Sequence, residues 1–235
     1  SVDPAAARAW LGEQGGSEAR QLGTPELHPL LTAYGIPAID SRVVKSADDA
    51  AAAAERLGFP VAVKIVSPDI THKTEVGGVA LGLHDAGAVR DASAAMLARV
   101  AAARPQATIR GLLVEAMAPA GKELLLGGVR DSQWGPVLMV GLGGIYVEVM
   151  GDTTVCLAPV SPDEAATLLD ELRIAPLLRG IRGERPVDRP ALAAIISRFS
   201  QLLVDLPELR EIEINPLLAS PDGAIAVDAR ARLGA

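Results

Sequence analysis

Carboxylate and amide side chains alternate with apolar ones in residues 210–233, the segment of the sequence best suited to holding a metal ion. Within it, Ser220-Pro221-Asp222-Gly223 has Pro at the second and Gly at the fourth position of a β-turn, a pattern that predicts a hairpin. If the first and last residues of this turn face each other, Asn215 lies opposite Asp228. Directly opposed residues of antiparallel strands have Cβ atoms about 5 Å apart. The spacing therefore predicts that an amide oxygen and a carboxylate converge.

Glu213 adds a second carboxylate to the same face, because alternate residues of a strand point to the same side. Together with Asn215 and Asp228 it offers hard oxygen ligands, which suit Mg²⁺ that is also held by the phosphates of a substrate. Arg230 falls opposite Glu213 and can balance its charge. A solvated outer face with ordinary polar residues fits the same pattern, and a bulge in the turn would shift the register by one residue. The residues alone leave both interpretations open.

Lys64 lies inside the apolar run FPVAVKIV (59–66), which predicts a strand. A buried, unpaired ammonium group is costly, so we expect Lys64 to meet an anion, the alternative being a stem that reaches the strand edge. The run leads into a polar loop that ends at Gly77-Gly78, where backbone N–H groups can approach phosphates closely. His72, at the middle of the loop, can act as a nucleophile or phosphate carrier, although a lone loop histidine is more often inert.

Glu115 and Glu123 flank a turn between two strand-like runs. Glutamate is depleted in strands, so both are candidates for contact with a ribose or a metal, the alternative being two exposed glutamates. The Gly-rich run 141–148 lacks the G-x-G-x-x-G pattern and a following helix, and the sequence contains no Walker A pattern. The sequence is therefore not that of a P-loop protein or a Rossmann dehydrogenase.

Composition narrows the class of partner. The 235 residues carry a formal net charge of −7, which argues against nucleic acid and anionic membranes as partners. Hydrophobic residues make up 49% and aromatic residues only 3%, so the core must be built mainly from aliphatic side chains. The single cysteine, Cys156, excludes an internal disulfide framework and fits a reducing cytoplasm.

Start and stop signals divide the chain into a short opening segment and two lobes. Residues 1–23 are rich in Ala, Gly and charge, and we expect a linker, a peripheral helix or a tag-derived segment. Residues 24–110 and 111–235 each mix helices with strands without strict βαβ alternation, which predicts an α+β fold. A cleft between two lobes is where a ligand is expected.

Four segments together resemble the ATP-grasp β module of ADP-forming (NDP-forming) acyl-CoA synthetases of the acetate–CoA ligase type. The resemblance runs from about residue 24 to the C-terminus, in the order of the family. It implies a two-lobed ATP-grasp fold, with ATP or ADP and Mg²⁺ held between the lobes. The segments are YGIP (34–37), GFPVAVKIVSPDITHKTEVGGV (58–79), VEAMAPAGKELLLGGVRDSQWGPVLMVGLGG (114–144) and EIEINPLLASPDGAIAVDAR (211–230).

The resemblance also implies roles for single residues. Lys64 would hold ATP phosphates, and His72 resembles the histidine that takes up a phosphoryl group in this family. Asn215 and Asp228 match the Mg²⁺ ligands, with Glu213 beside them. The other positions that match nucleotide contacts are Lys73, Gly77, Gly78, Glu115, Met117 and Glu123.

The reaction implied by the resemblance is acyl-CoA + ADP + phosphate ⇌ carboxylic acid + CoA + ATP, through acyl phosphate and phosphohistidine. The CoA-binding module of the family is absent from these 235 residues. We therefore expect a partner module, fused or separate, that binds CoA and acyl-CoA, and a hetero-oligomer where it is separate.

One strand departs from the pattern of the family. Cys156 stands where these ligases usually carry an arginine, and Thr153-Thr154 where an apolar pair is common. Loss of the cation would weaken the handling of phosphate or acyl phosphate. A similar loss occurs in the ligase-like half of protein lysine acetyltransferases, so a non-catalytic domain that senses nucleotide or acyl-CoA is the alternative. A succinyl-CoA synthetase β subunit fits less well, because its basic Gly-rich loop is replaced by SPDITHK (67–73).

Overall fold

The structure is a computed structural model that describes residues 2–15, 19–70, 73–144 and 150–234. Its helices and strands, numbered in chain order, are α1 (Pro4–Glu13), β1 (Arg20–Leu22), α2 (Thr24–Ala33), β2 (Ser41–Val44), α3 (Ala47–Leu57), β3 (Val61–Val66), a 3-10 turn (Lys73–Val76), β4 (Val79–Leu83), α4 (Ala86–Ala103), β5 (Gly111–Ala116), β6 (Lys122–Asp131), β7 (Gly135–Leu142), β8 (Thr153–Leu157), α5 (Pro162–Glu171), α6 (Ala175–Leu178), α7 (Arg189–Asp205), β9 (Leu209–Ser220), β10 (Gly223–Ala226) and β11 (Ala229–Leu233).

These elements form two compact units. Unit 1 comprises Ser1–Ala38 and Pro119–Ala235, and unit 2 comprises Ile39–Ala118. The chain thus leaves unit 1, completes unit 2 and returns. These borders differ from those predicted at residues 24 and 111, because the first two helices belong to unit 1. Among the described residues, no helix is both long and apolar enough to cross a membrane.

Capping side chains explain where several helices begin. The Ser46 hydroxyl accepts a hydrogen bond from the Asp49 N–H at the start of α3, and the Asp85 carboxylate accepts one from Ala88 at the start of α4. Ser161 and Glu164 form a reciprocal capping box at the start of α5. Side chains that cap helix ends satisfy backbone N–H groups that have no partner within the helix.

Unit 1 is built on a seven-stranded antiparallel sheet. The strand order is β1-β11-β9-β6-β7-β8, and β10 pairs with β9 beyond it. Helix α7 packs on one face of β6 and β7, and the core between helices and sheet is mainly aliphatic. The other face of these central strands is open, since Val129, Met139 and Val155 are exposed there. Polar residues on that face can therefore reach a ligand.

Helix α1 corrects the expectation of a linker at residues 1–23. Ala7, Trp10 and Leu11 are buried in the core of unit 1, and the Trp10 indole N–H donates to the carbonyl of Glu26 at 2.8 Å. Their spacing of three and four residues places all three on one helix face. The helix is thus an integral part of unit 1.

Unit 2 is a four-stranded antiparallel sheet, in the order β2-β5-β3-β4, covered by α3 and α4. Four alanines of α3 are fully or almost fully buried, which lets the helix approach the sheet closely. Valine, isoleucine and leucine side chains of β3 and β5 complete this second core. Both units together give the mixed α+β fold predicted from the sequence.

Candidate functional site

The side chains of β3 alternate between the two faces of the sheet in unit 2, and this alternation sets the direction of Lys64. Val61, Val63 and Ile65 point into the core of unit 2, so Lys64 points to the opposite face of the sheet. Its ammonium group lies 2.5 Å from the carboxylate of Glu115 on β5, with 22% of the lysine side chain and 2% of the glutamate side chain exposed. The anion expected from the sequence is therefore present within the chain itself.

The register of β3 and β5 explains this ion pair. Ala62 lies opposite Glu115 and Lys64 opposite Leu113, so the two charged residues are diagonal neighbours on one face. A diagonal separation of about 7–8 Å is within reach of a long lysine side chain. Glu115 therefore holds the Lys64 ammonium group in a fixed direction.

The loop after β3 is described except at residues 71 and 72. Thr71 and His72 lie outside the described residues, so the position of the proposed phosphate carrier is not part of the structure. Lys73 opens the 3-10 turn and is half-buried.

The N–H groups of the two glycines in this loop donate to carbonyl groups of the turn. The N–H of Gly77 donates to the Thr74 carbonyl at 3.0 Å, and the N–H of Gly78 donates to the Lys73 carbonyl at 2.8 Å. Both groups serve the turn, so they are not free to bind phosphate in this conformation. Gly77 has a φ of +64°, and a Cβ on it would contact the Arg99 side chain. The glycines are needed for the shape of the turn.

Glu115 and Glu123, which flank one turn in the sequence, belong to different units. Glu115 and Met117 lie in unit 2, where Met117 is exposed after the end of β5 and donates its N–H to the Pro60 carbonyl at 3.1 Å. Glu123 lies in unit 1, on β6, and is exposed.

Glu123 is connected to the hairpin through a glycine that the sequence analysis did not select. Its carboxylate lies against Gly144, where a Cβ would collide with it. Gly144 has a φ of +68°, and its N–H donates to the Asn215 side-chain oxygen at 2.9 Å. The Gly-rich run 141–148 was the only sequence signal for this residue, and residues 145–149 of it lie outside the described residues.

The predicted hairpin register is confirmed. Ser220 pairs with Gly223 at the turn, and Arg230 pairs with Glu213 farther along the strands. Between them, the N–H of Asn215 donates to the carbonyl of Asp228 at 2.9 Å. The side chains of Asn215 and Asp228 therefore lie close together in unit 1, as the predicted turn requires.

Charge within this cluster is largely balanced. The Arg230 guanidinium donates two hydrogen bonds to one carboxylate oxygen of Glu213, at 2.6 and 3.2 Å, and this contact raises the pKa of Arg230. The Asn215 side-chain amide donates to the other Glu213 oxygen at 3.3 Å. Glu213 therefore orients Asn215 and is itself neutralised, which leaves Asp228 as the carboxylate with excess charge.

Thr24 fixes Asp228, and the sequence analysis missed this role. Its hydroxyl donates to the Asp228 carboxylate at 2.6 Å and accepts from the Ala229 N–H at 2.8 Å. Thr24 is 2% exposed, so α2 contributes a buried support to the cluster. Thr24 is also the first residue of α2.

A small cavity of about 160 Å³ marks the cluster, which we call the hairpin site. Its lining residues are Glu213, Asn215, Asp228, Ala229 and Arg230. No group of three or more His, Cys, Asp or Glu side chains suited to a metal occurs in the described part of the chain. One carboxylate plus one amide oxygen fits Mg²⁺, which commonly keeps several waters and completes its shell with substrate phosphates.

Cys156 lies on the other side of the sheet from the hairpin site. It pairs with Leu138, whose side chain is in the core, whereas its neighbour Val155 is on the open face. Burial raises the pKa of the Cys156 thiol, and the nearby carboxylates of Glu164 and Glu171 raise it further. An arginine at this position would meet those two carboxylates of α5. The expected loss of phosphate handling is therefore not supported by the geometry.

A family model described as an ATP-grasp domain matches residues 15–233. The chain belongs to the ATP-grasp family. This confirms the fold that the resemblance implied. The match covers both units and the candidate residues in each of them.

Two curated relatives are similar over almost the whole chain. The β subunit of acetate–CoA ligase (ADP-forming) I of Pyrococcus furiosus is 39% identical over 218 residues, which cover 93% of this chain and 94% of the relative. Acetate–CoA ligase (ADP-forming) I of Archaeoglobus fulgidus is 41% identical over 95% of this chain but only 32% of the relative. The chain thus spans nearly all of a β subunit and about a third of a longer ligase.

A solved structure agrees in fold as well. The dinucleotide-forming acetyl-coenzyme A synthetase 1 of Ca. Korarchaeum cryptofilum has a TM-score of 0.83 and 34% identity, covering 98% of this chain and all of the matched chain. That structure is described as a complex with coenzyme A and Mg-AMPPCP, with a phosphohistidine segment pointing towards the nucleotide-binding site. The family resemblance to ADP-forming acyl-CoA synthetases is thereby confirmed.

Proposed function

We propose that this chain is the nucleotide-handling β module of an ADP-forming acid–CoA ligase. It binds Mg-ADP or Mg-ATP and transfers phosphate in acyl-CoA + ADP + phosphate ⇌ carboxylate + CoA + ATP. The observation that carries the proposal is the hairpin site, where Asn215 and Asp228 meet in the register predicted from the turn. The similarity to acetate–CoA ligase β subunits supports the same reaction.

The cationic part of the nucleotide site is assigned to Lys64. Its ammonium group is 22% exposed and fixed by Glu115, so it can donate to phosphate oxygens without leaving its partner. Lys73 supplies a second ammonium group from the adjoining turn. Gly77 and Gly78 shape that turn, while Met117 and Glu123 are proposed to contact the base and the ribose.

The metal site is assigned to Asn215 and Asp228. Asn215 offers its side-chain oxygen, which at present accepts the Gly144 N–H, and Asp228 offers a carboxylate that Thr24 holds in place. Glu213 stays paired with Arg230 and supports Asn215 from behind. Mg²⁺ bound there would neutralise charge on the phosphates of the nucleotide.

His72 is proposed as the phosphoryl carrier. An imidazole nitrogen attacks the phosphorus of an acyl phosphate and the carboxylate leaves, and an oxygen of the ADP β-phosphate then attacks the phosphohistidine to give ATP. Splitting the transfer in this way replaces one difficult step with two easier ones. The role rests on the family resemblance, and the phosphohistidine segment named for the Korarchaeum structure supports it.

The acyl phosphate must be made elsewhere, by a module that binds CoA and acyl-CoA. We propose that such a module accompanies this chain, either fused to it or as a separate subunit in a hetero-oligomer. Relatives of both arrangements support this, since one is a β subunit and another is a ligase about three times as long. The single cysteine supports placing the complex in a reducing cytoplasm.

The test is a phosphoryl-transfer assay paired with a binding assay. Calorimetry with Mg-ADP should show binding to the wild-type chain, and γ-labelled ATP should give an acid-labile label. His72→Ala should remove the label and keep nucleotide binding, whereas His84→Ala, a change at an exposed histidine, should alter neither. Absence of binding at millimolar Mg-ADP would overturn the proposal. A label that survives in His72→Ala would overturn the role of His72.

A further inference from the structure

Residues 173–189 form a basic segment outside the nucleotide site. It contains five arginines against two carboxylates, a formal excess of three positive charges in a chain whose net charge is −7. The segment runs from the end of α5 through α6 to the start of α7. Its arginines are Arg173, Arg179, Arg182, Arg185 and Arg189.

The backbone presents this segment as a closed and ordered loop. The N–H of Val187 donates to the Leu178 carbonyl at 3.0 Å and closes its base, where both side chains are buried. Gly180 and Gly183 are left-handed, and a Cβ on Gly180 would lie 2.4 Å from the Glu184 carbonyl oxygen. Such a loop is organised before any partner binds, which lowers the entropy lost on docking.

Arg182, at the tip, has a φ of +51°. Residues with a side chain rarely adopt this conformation, and glycine would adopt it without strain. The strained arginine lies in an exposed position with no ion pair or hydrogen bond to the other described residues. Backbone outliers of this kind cluster at active sites, ligand clamps and switch regions.

Only part of the positive charge is neutralised within the chain. Arg179 and Arg189 both donate to one carboxylate oxygen of Asp170, at 2.6 and 2.7 Å, and these contacts hold the pKa of Asp170 below its usual value. Arg185 lies 3.7 Å from Asp222, but both side chains are largely exposed and the pair is weak. Arg182 and Arg185 therefore present guanidinium groups to an outside partner.

Apolar side chains accompany these arginines. Leu177 and Ile181 are 37% and 39% exposed, and Leu177 lines a cavity of about 440 Å³ at the base of the segment. Lys122 and Glu123 line the same cavity, and Lys122 is bound to Glu184 of the segment at 2.8 Å. A partner docked on the basic segment would therefore sit beside Glu123, the residue that leads through Gly144 to the hairpin site.

We propose that the basic segment is the docking surface for the CoA-binding module of the ligase, through a patch on that module that carries carboxylates around an apolar side chain. Arginine is enriched at protein–protein interfaces and among their binding hot spots. Charge complementarity selects an acidic protein surface. A small anion would meet exposed, well-hydrated guanidinium groups that salt screens, whereas a docking protein excludes water from them. The inference rests on the proposed function, because the partner is the module that this function requires.

The test measures binding of the chain to the purified companion of the Pyrococcus furiosus β subunit, at several salt concentrations. Wild type should bind, with affinity that falls as salt rises. Arg182→Glu and Arg185→Glu should each weaken binding about tenfold or more, because a like charge then faces the acidic patch. Arg104→Glu, a reversal at an exposed arginine of unit 2, should bind as wild type.

A second variant separates docking from folding. Arg182→Gly should melt at the same or a higher temperature than wild type, since glycine relieves the left-handed strain, and yet bind the companion more weakly. Mg-ADP binding should be unchanged in every arginine variant, and its absence from the wild type would count against the proposed function, not against this surface. The proposal is overturned if wild type does not bind the companion, or if both charge reversals bind as wild type. It is also overturned if CoA alone binds wild type and Arg182→Glu loses CoA while keeping the companion.

Discussion

The two units differ in how far their functional charged groups are buried. In unit 2, the Lys64–Glu115 pair is set inside a sheet, with the carboxylate almost completely buried. In unit 1, Asn215 and Asp228 lie on the open side of a sheet, where Asp228 is exposed and held by a single hydroxyl. The Lys64–Glu115 pair is thus part of the packing of unit 2. The hairpin site lies on the surface of unit 1, whose fold does not depend on it.

This difference should separate stability from binding. Removing one member of a buried ion pair leaves the other charge without a partner in a poorly hydrated place, which costs much more than the pair contributes. Removing a carboxylate from an open face leaves water to solvate what remains. Mutations of the Lys64–Glu115 pair should therefore change stability and binding together, whereas those in the hairpin site should change binding alone.

The largest expected effect is on Glu115. Glu115→Ala should lower the free energy of unfolding by about 3 kcal/mol, because the Lys64 ammonium group then lacks its anion. Urea unfolding followed by circular dichroism measures this change.

The double variant Lys64→Met/Glu115→Leu is the matched control. It removes both charges and should recover most of the lost stability while remaining unable to bind nucleotide. Equal stability of Glu115→Ala and wild type would show that the pair is incidental to the fold of unit 2.

The second largest effect is expected on nucleotide affinity, when Lys64 is replaced. Lys64→Ala should weaken Mg-ADP binding by more than about 1 kcal/mol, since it removes charge-assisted contacts to phosphate. Calorimetry below the melting temperature of the variant gives the affinity. Lys45→Ala, which removes an exposed lysine of the same unit, should leave it unchanged, and a comparable loss there would argue for a general charge effect.

Asp228→Asn tests the hairpin site of unit 1. It should weaken Mg²⁺-dependent ADP binding by about 1 kcal/mol, while unfolding changes by less than about 0.5 kcal/mol, because an asparagine oxygen can still accept from Thr24. Titration of Mg²⁺ at fixed ADP and a thermal melt measure the two quantities. A variant that unfolds would show that Asp228 supports the fold of unit 1.

The smallest effect is expected for Cys156→Arg. The new guanidinium group would meet Glu164 and Glu171 on the helix-covered side of the sheet, so stability should change by no more than about 0.5 kcal/mol. Phosphorylation of the chain should match that of Cys156→Met, a long and uncharged replacement. A gain in label for the arginine alone would mean that this position reaches phosphate after all.

The hairpin site could be predicted because everything that determines it is local. A turn of defined type fixed the register, and alternation then placed Asn215 and Asp228 opposite each other. The partner of Lys64 could not be found in this way, because Glu115 is 51 positions away and the pairing of β3 with β5 skips β4. Such a contact depends on the fold of the whole unit.

Three further residues, Gly77, Gly78 and Thr24, show the same limit. The glycines of the 77–78 pair looked suited to phosphate, but only the structure shows that their N–H groups close a turn. Thr24 begins α2, and its hydrogen bond to Asp228 joins positions 204 residues apart. Local sequence rules can indicate where a helix begins, but they do not indicate a hydrogen bond between a side chain and a residue so far away in the sequence.

The insertion of unit 2 into unit 1 has a consequence for the order of assembly during synthesis. Residues 39–118 are continuous, so their core can form as soon as that stretch has left the ribosome. Unit 1 cannot close so early, because β1 pairs with β11, near the two ends of the chain. Trp10 and the leucines of α2 therefore stay exposed to solvent until the last strands of unit 1 have been synthesised. Helices α1 and α2 are thus synthesised before unit 2 but buried after it, and we expect them to need chaperone protection in the interval.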